Sequence, residues 1–298
     1  MLRTSQIQIR DPFVVPFDGK YYLFGTTGVS FWKSQAEGFD PSTEGFDAFS
    51  SRDLEHWEGP FRVFSTPPEF WADQNYWSPE VHAHAGRWFM LASFKASTGC
   101  RGTQVLVSDH LLGPYRPHSD GPVTPTAWES LDGTLFFDES RRPWLVFCHE
   151  WIQVHDGEIC ALPLSADLRR ATGNPVVLFR ASEAPWTVAN PNSQDRVTDG
   201  PWLHRTTTGT LLMLWSSVGS DGYAVGCAHS ASGRLAGPWL QKSVPLYDRD
   251  GGHGMLFKTF EGELCLAIHA PNKLMAERPL FLAVHEQGDR LIIAPSTI

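Results

Sequence analysis

The stretch DPFVVPFDGKYYLFGT, residues 11–26, decides the fold. It holds an apolar run, a tight turn at Asp18-Gly19 and a second apolar run, which is the pattern of a β-hairpin. The same plan restarts as SPEVHAHAGRWFMLAS from Ser78 and as DGTLFFDESRRPWLVFCHE from Asp132. It returns as DGPWLHRTTTGTLLMLWSS from Asp199 and as GHGMLFKTFEGELCLAIH from Gly252, so the starts lie 67, 54, 67 and 53 residues apart. Cruder second hairpins follow at 48–60, 105–117, 162–175 and 228–241, sharing a Ser, a polar turn and usually a late Gly-Pro. Two hairpins make four strands, and four-strand units restarted at this period are the mark of a propeller. The expected fold is all-β: a five-bladed β-propeller with four antiparallel strands per blade, in one domain over residues 1–298.

The rest of the chain agrees. No stretch of twelve residues carries convincing 3.6-residue apolar spacing, and no linker or low-complexity segment divides it. A length of 298 residues suits one large all-β unit. A pair of β-sandwiches would have no reason to restart one hairpin five times. The formal charge is −9 with no Lys/Arg run, which excludes a nucleic-acid or acidic-membrane partner, since phosphate binding needs clustered positive charge. Of the twelve Trp, roughly two-thirds are expected to fill seams between sheets, leaving the others as sugar platforms. Cys100, Cys148, Cys160, Cys227 and Cys265 form no CxxC or zinc spacing, and several lie in apolar runs as buried thiols do. Free thiols, with no signal-peptide core in MLRTSQIQIR and no segment of transmembrane length, make the cytoplasm the expected location.

In a propeller the first strand of each blade lines the central axis, and the second returns to the same end. Strand-one starts supply Asp11, Glu80, Asp132, Asp199 and His253; strand-two ends supply Phe94, His149-Glu150-Trp151, Trp215-Ser216 and His269. Asp132-Gly133 and Asp199-Gly200 each have a plain turn reading. Taken with Asp11 and Glu150 they read as an acidic site. Such a cluster suits hydrolysis of a glycosidic bond, because crowded carboxylates split into one ionised base and one protonated acid. Phe94, Trp151 and Trp215, with Trp77, Glu80, His149 and His269, are the expected sugar contacts.

These motifs resemble glycoside hydrolase family 43, five-bladed enzymes acting on arabinose- and xylose-containing glycans. RDPF of Arg10 to Phe13 resembles the first-blade motif whose Asp is the general base, a role this carries to Asp11. LDGTLFFDE of Leu131 to Glu139 resembles the motif whose Asp tunes and orients the acid, which carries to Asp132. WSPEVHAHAGRWFM, opening at Trp77, is similar to the second-blade strand. GGHGM resembles the segment whose His sits in the channel near a cation or water, which implies a water or Ca²⁺ at His253 and no other cofactor. The family's acid is a Glu in EGP; here Asp199 stands in DGP, one methylene shorter. Glu150, full length in HEW, competes with it and is preferred. HEW, DGP and DGGHG together look like a subgroup linked to arabinofuranose and galactofuranose side chains. The resemblance implies an inverting hydrolase, foremost an α-L-arabinofuranosidase, with β-D-galactofuranosidase or β-xylosidase as alternatives. Insertions after Thr26 and after Trp186 suggest exo action. A non-catalytic sugar-binding propeller is the reading from another class, supported by the missing EGP glutamate. An invertase-like fructosidase lacks its NDPNG motif here, and His149-Glu150 lacks the second His of a zinc hydrolase.

Overall fold

The structure, a computed structural model, describes residues 1–27 and 44–295. These form five antiparallel sheets, each laid down in chain order from the channel outwards except for one extra outer strand on the first. The inner strands are Arg10–Phe17, Gln74–His84, Ser130–Phe137, Asp199–Arg205 and Gly252–Lys258. Each turns at the far end of the channel into a second strand, ending at Thr26, Lys95, His149, Gly219 and Ala270. The five-bladed propeller expected from the repeats is what the chain forms. Its fifth outer hairpin, Arg278–Gln287 with Arg290–Ile293, falls outside the four second hairpins visible as a repeat.

The strands read as near-continuous apolar runs because both faces of a blade are covered by neighbouring blades. Phe89, Leu91, Val105 and Val107 of blade two, for example, pack against Leu135, Leu145, Phe147 and Leu162 of blade three. The α-helix of the described residues is one turn, Trp151–Val154, following the third blade's second strand. No helix among them is long and apolar enough to cross a membrane.

The ring closes without a shared blade. Leu2–Arg3 instead adds an outer fifth strand to blade one, paired with His56 and Trp57. The join to blade five is made by polar contacts onto Glu277, whose side chain is 0% exposed. Arg10 Nη1 lies 3.1 Å from Glu277 Oε1, Gln8 Nε2 donates to Oε2 at 3.3 Å, and the Ile9 amide donates to the Glu277 carbonyl. Arg278 Nε reaches back to the Ser5 carbonyl at 2.8 Å. Breaking one partner of a buried pair strands the other's charge. Glu277→Gln is therefore expected to cost about 3–5 kcal/mol in denaturant unfolding; a change near zero would show that apolar packing alone closes the ring.

Candidate active site

At one end of the channel every inner strand opens with a β-bulge. Register breaks between Arg10 and Phe13, Trp77 and Glu80, Leu131 and Thr134, Asp199 and Trp202, and Gly252 and Met255. Inside each bulge one residue is left-handed: Asp11 (φ 54°), Ser78 (42°), Asp132 (56°), Gly200 (52°) and His253 (54°). Asp, His and Gly are among the residues that adopt this conformation most readily. At Gly200 a Cβ would stand 2.8 Å from the His253 ring, so only glycine fits.

The amide of each left-handed residue is held by the preceding blade's second strand. Ser78 N–H donates to Thr26 Oγ1 (2.7 Å), Asp132 N–H to Ser93 Oγ (2.9 Å) and His253 N–H to Ser216 Oγ (2.8 Å). Asp11 N–H donates to His269 Nδ1 at 3.2 Å. Blade three departs from the pattern. Its residue at this register is Cys148, a weak acceptor, and the Gly200 amide goes instead to Asp132 Oδ2 at 3.0 Å.

Three carboxyls and one imidazole thus meet around a cavity of about 60 Å³, with Arg10, Trp77, Leu131 and Tyr223 as its other walls. His253 Nδ1 lies 3.1 Å from Asp11 Oδ1 and 3.6 Å from Asp132 Oδ2. Asp11 Oδ2 accepts from Thr26 Oγ1 at 2.8 Å, and Asp132 Oδ1 accepts from Ser78 Oγ at 2.6 Å. Asp199 Oδ2 accepts from the buried Tyr223 hydroxyl at 2.8 Å. Burial alone would raise Asp11, but the His253 cation and then Arg10 hold it well below the carboxylate range. The same burial would lower His253, yet Asp11 and Asp132 push it up to about 10. Asp132 is raised by burial against the pull of His253. Asp199 is raised to about 7, by burial first and then by the Asp132 charge. His269, lowered to about 3 by burial and by Arg10, stays neutral and accepts the Asp11 amide.

Residues 4–290 match the sequence pattern of Glycosyl hydrolases family 43. The chain belongs to that family. It is similar to the endo-arabinase from Bacteroides thetaiotaomicron VPI-5482, at 35% identity and a TM-score of 0.88, over 97% of this chain and 99% of that one. It is 23% identical over 266 residues to the extracellular endo-alpha-(1->5)-L-arabinanase 1 of Bacillus subtilis (strain 168), spanning 84% of this chain and 72% of that one. The fold also matches an endo-1,4-beta-xylanase from Bacteroides thetaiotaomicron VPI-5482, at 24% identity and a TM-score of 0.77, over 97% and 95% of the two chains. A glycoside hydrolase of family 43 is thus built on this propeller.

The family 43 site gathers some of the expected residues and not others. Asp11, Asp132, Asp199, His253 and Trp77 line the cavity. Glu150 stands behind Trp77, its Oε2 at 2.5 Å from Arg101 Nη1; burial raises its carboxyl and Arg101 opposes the rise. Phe94 and Trp215 are 0% exposed and cannot stack on a sugar. Phe94 packs among Phe70 and Tyr76, and Trp215 packs on Trp186 with its Nε1 bonded to Gln241. Glu80 lies deeper, paired with His82 at 3.1 Å, because Ser78 and not Glu80 occupies the left-handed position. His82 in turn meets the rings of Phe13 and Trp202 from the inner strands of blades one and four. His149 is stacked on Trp128 at 4.1 Å and held by Glu158 and Gln153, and Trp151 opens the short helix; both are away from the cavity lining. His269 serves the Asp11 amide and is fully buried. The insertion after Thr26 lies largely outside the described residues. That after Trp186 is tied to blade four through Val188 N–H to the Val218 carbonyl and to blade three through the Gly157 amide to the Arg196 carbonyl.

Sequence reasoning missed Tyr223, Thr26, Ser78 and Ser93. Tyr223 lies at the head of a third strand, which sets out from the channel end that the second strand reaches, and extending the rule to third-strand starts would have found it. Among the described residues no group of three or more His, Cys, Asp or Glu side chains is placed to hold a metal ion. His253 spends Nδ1 on two carboxylates, an arrangement unlike the oxygen cage that calcium prefers.

Asp199 binds its proton more tightly in the folded chain than in the unfolded one, because its carboxyl is raised from 3.8 to about 7. The stability carried by that proton is full below the unfolded value and is lost as pH rises through the folded one. Asp199→Asn removes the buried charge while Tyr223 keeps an oxygen to donate to. Its Tm is expected to exceed that of the native chain, by more at pH 8 than at pH 5. An equal gain at both pH values would contradict the raised carboxyl.

Proposed function

We propose that the chain hydrolyses α-L-arabinofuranosyl linkages of arabinan-type glycans with inversion, Asp11 serving as base and Asp199 as acid. The observation that carries the assignment is the division of charge: Asp11 sits against a cation, and Asp199 holds its proton to about pH 7. A water above Asp11 attacks the anomeric carbon as Asp11 takes its proton. The glycosidic C–O bond breaks, and the leaving oxygen takes the proton of Asp199. Tyr223 donates to Oδ2, which leaves the acid's proton on Oδ1 for transfer. One carboxyl gains a proton as the other loses one, so the cluster's net charge is unchanged through the step. Asp132, fixed by Ser78 and the Gly200 amide, orients the site and keeps Asp199 protonated through its charge.

Glu150 is the weaker candidate for the acid, because Arg101 occupies its oxygen and it does not border the cavity. The arabinofuranosyl preference rests on similarity to the two arabinanases. Galactofuranosides and xylosides are the alternatives that a substrate screen separates, and proton NMR of the first product reads the anomer. Asp11→Asn is expected to lower turnover by about two to four orders of magnitude, as loss of a general base does. Asp199→Asn should lose most activity on arabinan, far less on a dinitrophenyl arabinofuranoside, and should lose the alkaline limb of kcat/KM near pH 7. If Glu150→Gln shows that leaving-group pattern and Asp199→Asn does not, the acid is Glu150.

A further inference from the structure

Behind the Trp77 wall of the cavity lies a buried charge cluster that takes no part in the proton transfers. Arg101 is 5% exposed; its Nη1 is 2.5 Å from Glu150 Oε2, and its Nη2 donates to Asn75 Oδ1 at 3.2 Å. Its guanidinium carbon stands 3.9 Å from the Trp77 ring centroid, within stacking range. The base of the cluster is equally constrained. The Arg101 and Glu150 amides donate to the Oε2 and carbonyl of Glu129, both at 2.8 Å, and Lys95 pairs with Glu129 at 2.5 Å. Burying two charges is costly, and an apolar pair would fill such a volume at less expense to stability. What the ion pair adds is geometry: a planar fork clamped at both ends and lying on an indole.

We propose that Arg101 is a positioning residue for sugar specificity: clamped by Glu150 and Asn75, it fixes the Trp77 indole as an unyielding wall that seats a furanose in preference to a pyranose. The physical basis is thickness, since a puckered five-membered ring is flatter than a six-membered chair. A wall backed by a clamped cation cannot retreat to admit the thicker ring. The proposal rests on the arabinofuranoside reading and deepens it.

The test compares the native chain with Arg101→Lys and with the double variant Arg101→Met/Glu150→Gln, which removes the pair without stranding a buried charge. Steady-state kinetics on nitrophenyl α-L-arabinofuranoside and β-D-xylopyranoside are read beside Tm. In the double variant the arabinofuranoside KM is expected to rise about tenfold, and both substrates are read against Glu150→Gln alone, so that any share of Glu150 in catalysis cancels. The furanoside-to-xyloside ratio of kcat/KM should fall about tenfold, equivalent to about 1.4 kcal/mol. Lysine restores the charge against Glu150 but not the planar stack, so Arg101→Lys should keep the relaxed ratio. A native ratio in either variant overturns the proposal, and if the double variant does not fold, the lysine variant decides. A native chain inactive on both glycosides removes the arabinofuranoside reading and this proposal with it; a native chain active on the furanoside with unmoved variants removes this proposal alone.

Discussion

An amide in the left-handed region, bonded to an acceptor on the neighbouring blade, is the contact on which both ring and site depend. The bulge that creates it breaks the two-residue alternation of the inner strand at the channel mouth. It occurs in all five blades at one register. In four joints the acceptor is a hydroxyl or imidazole side chain of the preceding second strand. Where that position holds the thiol of Cys148, the amide of Gly200 turns to Asp132, so the exception in the clasp becomes part of the site.

The second constraint is electrostatic. Two unit charges about 4 Å apart interact by about 4 kcal/mol near a protein surface, so buried carboxylates cannot all ionise unaided. His253 is placed against Asp11 and, more distantly, Asp132. Asp199 has the neutral Tyr223 hydroxyl as its partner. One cation, set off centre among three carboxyls, separates an ionised carboxyl from a protonated one without any difference in residue type.

The aromatic residues divide by the same geometry. Trp77 borders the cavity because it stands at the outer edge of a bulge. Trp215 and Phe94 lie on second strands, one position either side of the clasp residues Ser216 and Ser93, and so face the seams between blades. The alternation of side chains along a strand sends neighbours to opposite faces. Ser93 and Ser216 meet the amides of the following blade for the reason that Phe94 and Trp215 do not.

The repeat, the five blades and the membership of Asp11, Asp132, Asp199 and His253 in one cluster were legible in the sequence. Hairpin periodicity is local, and each blade carries its own copy of it. The position of Asp11 and Asp132 was legible too, since both stand at the left-handed step itself. Glu80 was misplaced because the left-handed step of blade two is held by Ser78, which carries no charge to mark it, while the carboxylate stands two residues further along the strand. The state of Glu150 depended on Arg101, forty-nine positions away in the chain and on another blade. Which carboxyl holds a proton follows from distances across the channel. The sequence alone determined which chemical groups arrive at the channel mouth. Their partners and charges were decided by tertiary structure, because Coulomb interactions and burial act between residues that only the closed ring brings together.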